Sequence, residues 1–405
     1  MPQNSMLARD TPAVRHGESE SPDFLTMPAE IAVLRRCARA GPLDTAGLRS
    51  ALECVEDWTA LLDAAEHHGV AALLHIAVEE ARSDAVPADA ALRLRNAHRE
   101  SAKRGLFLCA ALLAVLDTLQ TEGVAALPLK GPVLAAALYP DPALRPSSDV
   151  DLLVHRRDIA AALHALARDG YALDSRLARI RVPTLLAVNC EVLVRHPQGA
   201  PIDLHWEIAQ RGFPFRFDPD VLWRSVRPAS LEGRAVPGLA PESQLLFLCV
   251  HGAKHLWSHL MWLGDIARLA RTISDWDAAM DVAAGAGCAR PVLLGLKLAH
   301  DLLDAPVPAA IIERAAADPV IPSLARDVVR RLSCIPPVEA GIEDTAFNVR
   351  MAKRRWDKAK HYAALLAPSQ AELQVLALPP SLRGLYYPFR IARLATKYTM
   401  KLAGR

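Results

Sequence analysis

Three aspartates carry the chemistry this chain could do. Asp149 and Asp151 stand one residue apart at the head of Asp149-Val150-Asp151-Leu152-Leu153-Val154, whose apolar remainder predicts a buried strand. On a strand, residues i and i+2 point to one face, so the two carboxylates project together. Side by side they repel and shift each other's pKa unless a cation sits between them. Acids opening a buried strand are also costly unless something binds them. A divalent metal is the simplest occupant, because Mg²⁺ (or Mn²⁺) seeks oxygen ligands and commonly takes one or two carboxylates plus substrate phosphates. Asp203 lies between Ile202 and Leu204 in a second strand-like run and faces away from both, which makes it the candidate third acid of a phosphoryl-transfer centre.

The residues around these acids suit a nucleoside triphosphate. Leu129-Lys130-Gly131 closes an apolar run from 124, and Lys130 could offer a charge-assisted contact to phosphate; an exposed structural lysine is the alternative. Gly131 makes the turn into a helix opened by Pro132, a position that suits proline but removes one N–H from the phosphate-holding turn. Arg145, Ser147 and Ser148 directly precede the acid pair and could touch phosphate or sugar; a plain ordered loop is the alternative. His251, Lys254 and His255 fall at i, i+3 and i+4, on one helical face, and could reach substrate or phosphate across a cleft. A capping and packing cluster is the alternative for that trio, with Asp265 as a partner for Lys254 or His255. No Cys or acid completes a zinc set at suitable spacing. Trp206, on the same face as Leu204, reads as core.

Taken together these motifs resemble the nucleotidyltransferase superfamily related to DNA polymerase β, marked by a glycine turn, a helix, two acids one residue apart and a later third acid on a strand. More narrowly the chain is similar to an uncharacterised bacterial nucleotidyltransferase family. The shared pieces are Leu129-Lys130-Gly131, Tyr139-Pro140-Asp141, Arg145-Pro146, Asp149 to Val154 and Asp203-Leu204-His205-Trp206, then Cys249 to His255 and Trp262-Leu263-Gly264-Asp265. Two departures stand out: Pro132 in place of Ser or Gly, and seventeen residues between Gly131 and Asp149. The resemblance implies nucleotidyl transfer from a Mg-NTP, with Asp149, Asp151 and Asp203 as catalytic and metal-binding residues. By analogy with tailoring enzymes of lasso-type peptides and exopolysaccharides, it implies a peptide or other natural-product acceptor. A toxin-type enzyme acting on tRNA and a non-catalytic nucleotide-binding scaffold are the alternatives; the presence of all three acids argues against the scaffold.

The elements that must position these residues predict an α+β fold: a small mixed-sheet nucleotidyltransferase core between an N-terminal helical segment and a mostly helical C-terminal domain. The chain is 405 residues long, 52% hydrophobic and only 5% aromatic, which favours helix. Residues 1–26 are polar with no apolar stretch and read as a disordered leader. Helices are expected over 27–122, including a long one from 88 to 121 with Leu106, Leu108, Leu112, Leu113, Leu116 and Leu119 on its apolar side. The core is expected over 123–238, with strands at 124–129 and 149–154, a helix over 157–168, and a hairpin of 190–195 with 201–206. Helices at 241–257, 259–274, 276–286, 290–303 and 345–366 are expected in a domain spanning 239–366, followed by a basic tail over 367–405.

From Val349 to Arg405, twelve Lys/Arg face only Asp357 and Glu372, a surplus of ten that leaves the remainder at −8 in a chain of net charge +2. Such a tail is a statement about partners: a solvated face, an anionic partner, or a membrane surface met by Phe389, Ile391, Leu394, Tyr398 and Leu402. Aromatic interleaving is too sparse to favour nucleic acid. Seven cysteines without metal-ligand spacing read as buried free thiols of a reduced, cytoplasmic protein.

Overall fold

The computed structural model describes residues 27–210, 213–215, 217–335, 342–353, 355–376 and 378–403. The expected leader lies outside the described residues.

Five helices come first: α1 (Ala29–Ala38), α2 (Thr45–Glu53), α3 (Trp58–His67), α4 (Ala71–Ala81) and α5 (Ala88–Thr121). Asp44 and Asp57 cap α2 and α3, accepting hydrogen bonds from the Gly47 and Ala60 amides. The 34-residue α5 serves two cores. Ala90 and Leu94 pack among helices, whereas Leu108, Leu112, Val115 and Leu119 lie under the sheet. Between these groups no α5 residue is buried, and Leu106, expected on the apolar side, is 64% exposed. The apolar stripe is interrupted where the helix passes from one core to the other.

The sheet contains β1 (Ala126–Pro128), β2 (Val150–Val154), β3 (Ala172–Leu173), β4 (Glu191–Arg195) and β5 (Ile202–His205), in the order β1-β2-β5-β4-β3. Only β2 and β5 are parallel; the expected hairpin of β4 with β5 forms. Helices α6 (Pro132–Leu138), α7 (Ile159–Arg168) and α8 (Val182–Val188) lie between the strands. Alternation sets the two faces of the sheet. Val150, Leu152, Val154, Val192, Val194, Ile202 and Leu204 bury one face against α5 and α7, together with Trp206. The other face carries Asp151, Asp203, His205 and Glu191.

A short helix, α9 (Asp220–Trp223), leads to a hairpin of β6 (Val226–Leu231) and β7 (Arg234–Leu239) that the sequence reading missed. Pro228 and Pro237 hide its strand signal, and the structure pairs them opposite each other on this two-stranded ribbon. Its turn, Glu232-Gly233, has positive φ at both residues, as a tight two-residue hairpin turn needs.

The helices then resume as α10 (Pro241–Lys254), α11 (Leu260–Ala270), α12 (Trp276–Gly285), α13 (Ala289–Leu303), α14 (Ala309–Ala316) and α15 (Ile321–Leu332). Further on lie α16 (Ile342–Met351), α17 (Arg355–Leu365), α18 (Gln370–Val375) and α19 (Tyr386–Ala403). Two expectations change. The helix expected over 345–366 is two helices, α16 and α17. The one expected over 241–257 stops at Lys254, because Leu256 and Trp257 adopt left-handed backbone at φ 58° and 45°. Helices from both ends of the chain share one apolar core, which runs from Ile31 to Met351. The architecture is α+β, a small mixed sheet embedded in helices. The described cysteines are free; five are buried, Cys334 is half-buried and Cys54 is exposed. No helix among the described residues is long and apolar enough to cross a membrane.

Candidate active site

Parallel pairing of β2 with β5 sets Asp151 directly beside Asp203. On β5, His205 follows Asp203 by two residues and therefore shares its face; β4 pairs Glu191 with His205 across the hairpin. These side chains form one ionic chain. Lys130 Nζ lies 3.1 Å from Asp151 Oδ2, and His205 Nε2 lies 3.3 Å from Asp151 Oδ1. The other ring nitrogen of His205 meets Glu191 Oε2 at 3.0 Å, and Lys254 Nζ, from the end of α10, donates to the same oxygen at 2.9 Å.

Charge and burial tune the members. Burial pulls the Asp151 carboxyl upward, but Lys130 and His205 outweigh it and hold it down at about 2. Burial presses His205 down, yet its hydrogen bonds to Asp151 and Glu191 push it up to about 9. At neutral pH the ring is therefore an imidazolium that orients Asp151. Glu191 is lowered: burial opposes the shift, and His205 and Lys254 overcome it. Asp203 behaves differently. Burial, then the charges of Glu191, Asp151 and Asp149 against the opposing pull of His205, push its carboxyl up to about 6. Asp149 lies in a bend one step before β2, not in the strand as expected. Its carboxyl is raised by burial and by the Asp151 charge.

Asp151 and Asp203, side by side and with Asp203 held above its ordinary range, are a pair of oxygen donors that a divalent cation fits, whereas Asp149 is not in the group whose ligand atoms come together. Ligand atoms of Asp151, Asp203 and His205 fall within 4.8 Å of one another. His205 could join such a set only by releasing its proton. The carboxylates suit the cation better, with His205 orienting Asp151 from the same face of the sheet.

The remaining candidates divide. Gly131 caps α6 at φ 70°, ψ −137°, a conformation that glycine alone adopts easily. Lys254 reaches the centre through Glu191. His251 and His255 pack with Trp262, their rings 5.1 and 5.5 Å from it. Burial lowers both, followed for His251 by the charge of Lys130 and for His255 by that of Lys254. Arg145 is drawn to a partner far along the chain. It is buried and forms a two-pronged pair with Asp265, at 2.9 Å from Nε to Oδ1 and 2.9 Å from Nη2 to Oδ2, while Nη1 donates to Ser147 Oγ at 3.0 Å. Asp265 was expected to pair with Lys254 or His255; instead it takes Arg145 and the Tyr139 hydroxyl, which donates at 2.8 Å. Ser148 offers its carbonyl to Arg104. The sequence reading passed over His205 and Glu191 as participants. On β5 the two-residue period puts Asp203 and His205 on one face, and counting back through the hairpin turn aligns Glu191 with His205.

The parallel strand pair thus carries facing acids, with the lysine of a lysine–glycine turn against one of them. A family described as uncharacterised nucleotidyltransferase matches residues 55–304, and the chain belongs to that family. No curated protein and no solved structure matches the chain.

Proposed function

We propose that this protein transfers a nucleotidyl group from a nucleoside triphosphate to an acceptor hydroxyl, with Asp149, Asp151 and Asp203 holding Mg²⁺ or Mn²⁺. The observation that carries this reading is the side-by-side register of Asp151 and Asp203, with Lys130 against Asp151. A bound divalent cation would neutralise phosphate charge and favour the ionised acceptor. The chain's own residues do the rest. Lys130 is close enough to follow phosphate charge, and His205, fixed by Glu191 and Lys254, keeps Asp151 oriented. The side chain of Asp203 is 24% exposed against 3% for Asp151, so Asp203 is the acid an arriving acceptor meets and the one that takes its proton. The acceptor oxygen bonds to the α-phosphorus, the bond from that phosphorus to the bridging oxygen breaks, and pyrophosphate leaves.

We propose a peptide or comparable natural product as acceptor. A cleft of about 1090 Å³, lined by Val154, His155, Trp206, Phe213, Phe215 and Trp223, opens beyond the ends of β2 and β5. Val154 and Trp206 lie past the strand ends and on the face opposite the acids, so what supports this acceptor class is the size and aromatic wall of the cleft.

Incubation with each labelled NTP, Mg²⁺ or Mn²⁺ and candidate peptides tests the reading. Asp149→Ala, Asp151→Ala and Asp203→Ala should each lower turnover by about 10²-fold or more, whereas turnover indifferent to all three substitutions would sink it.

A further inference from the structure

A second polar pocket lies away from the acids, where the N-terminal helices, the end of α6 and α11 meet. It encloses about 460 Å³. Four guanidiniums line it: Arg36 of α1, Arg39 just after it, and Arg268 and Arg271 from the end of α11. Glu80 is the acid within the pocket, and Asp304 pairs with Arg39 at 2.9 Å, so four positive charges against two acids leave two uncancelled. The donors themselves are under-used. Arg36 gives one hydrogen bond, to the Ala32 carbonyl, and Arg39 Nε is buried without a hydrogen-bond partner. Arg268 donates to the carbonyls of Ala38, Arg39 and Gly264, which occupies three of its N–H donors and leaves its charge without a carboxylate partner among the described residues. Arg271 is exposed and has no carboxylate partner among the described residues. Leu43, Leu73, Ile76 and Leu138 supply an apolar wall.

We infer that this pocket binds a small molecule carrying a phosphate or diphosphate on an apolar body. Arginine forks match phosphate oxygens in pairs, two negative charges balance the excess, and the leucine-lined wall takes the remainder of the molecule. The pocket adjoins the acid centre's support: the ring of Tyr139 lies in its wall under Arg268, at 4.4 Å, and its hydroxyl holds Asp265. The inference does not depend on the reading of the acid centre.

Calorimetric titration with inorganic pyrophosphate, at fixed ionic strength and with EDTA present, tests it. Wild type and Asp149→Ala/Asp151→Ala should bind alike, and Arg36→Ala/Arg271→Ala should bind at least about tenfold more weakly. Arg271→Glu alone, at an exposed position that should not disturb folding, should weaken binding in the same direction. Binding lost with the aspartates and kept by the arginine variants would overturn the inference, as would the absence of any heat from wild type at millimolar pyrophosphate.

Discussion

Arg145 and Asp265 are both buried, and each leaves the other an uncompensated charge if removed. Arg145→Ala or Asp265→Ala should therefore cost about 3–5 kcal/mol in urea unfolding. Asp265→Asn, which keeps the shape and one acceptor, should cost less. Histidine sets the acid response. His68 is 3% exposed, and burial, followed by the charges of His67 and His259, lowers it from 6.5 to about 4. The unfolded chain then binds more protons between those values, so the contribution of His68 is fully present above pH 6.5 and is lost as pH falls towards 4. The loss should be on the order of 3 kcal/mol for this residue. Urea midpoints at pH 7 and 4.5 should separate strongly in wild type and less in His68→Gln; equal separation would remove His68 as the cause.

At the scale of elements, the glycines of the later motif block explain why the chain turns where it does. A Cβ on Gly252 would lie 2.3 Å from the Trp257 indole nitrogen, and the Trp257 amide closes the end of α10 on the Gly252 carbonyl at 2.8 Å. Gly252→Ala should displace the buried indole and lower stability by roughly 1–3 kcal/mol, read by urea unfolding. Gly131 differs, since its added Cβ would meet only the Asp149 carbonyl, at 3.5 Å. Gly131→Ala should therefore strain the turn by roughly 1–2 kcal/mol and move Lys130, lowering turnover more than stability.

Much of this was legible because alternation and turn chemistry are local. The apolar run at 150–154, the alternating run at 191–195 with its return at 202–205, the glycine at 131 and the proline at 132 each specify their own conformation. What was not legible depends on distant pairing. Nothing near Arg145 announces Asp265, 120 residues on, and the prolines of β6 and β7 read as loop until each is seen to face the other. The end of α10 was misplaced for a similar reason: Trp257 is apolar and fits the helical period, but its place in the core is reached only by reversing the backbone.

For the whole molecule, helices from the two ends of the chain bury one core, so the nucleotidyltransferase sheet sits on a single helical body. The basic tail is less free than its charge count suggests. Arg390 and Arg393 turn inward onto Glu372, whose side chain is fully buried and also accepts from Ser369. Tyr386 and Leu373 pack on Leu177, Ile180 and Leu185. The side chains of Lys397, Tyr398, Lys401, Leu402 and Arg405 lie outside the described residues. Glu372→Ala should leave two arginines without their partner and release the tail from the sheet domain. Limited proteolysis should then cut between α17 and α19 several-fold faster than in wild type; an unchanged rate would show that the apolar contacts alone hold the tail.

The register of Asp151 beside Asp203 joins residues 52 positions apart. Neither half of that pair exists as a ligand set in an unfolded chain, and closing the intervening loop must precede it. On the proposed reading, cation affinity at this centre would be linked to long-range order: an ion held there would contribute its binding free energy to global stability. Metal titration followed by unfolding doubles as a gauge of whether the sheet has closed, and a chain severed between β2 and β5 would lose the ion before it lost its helices.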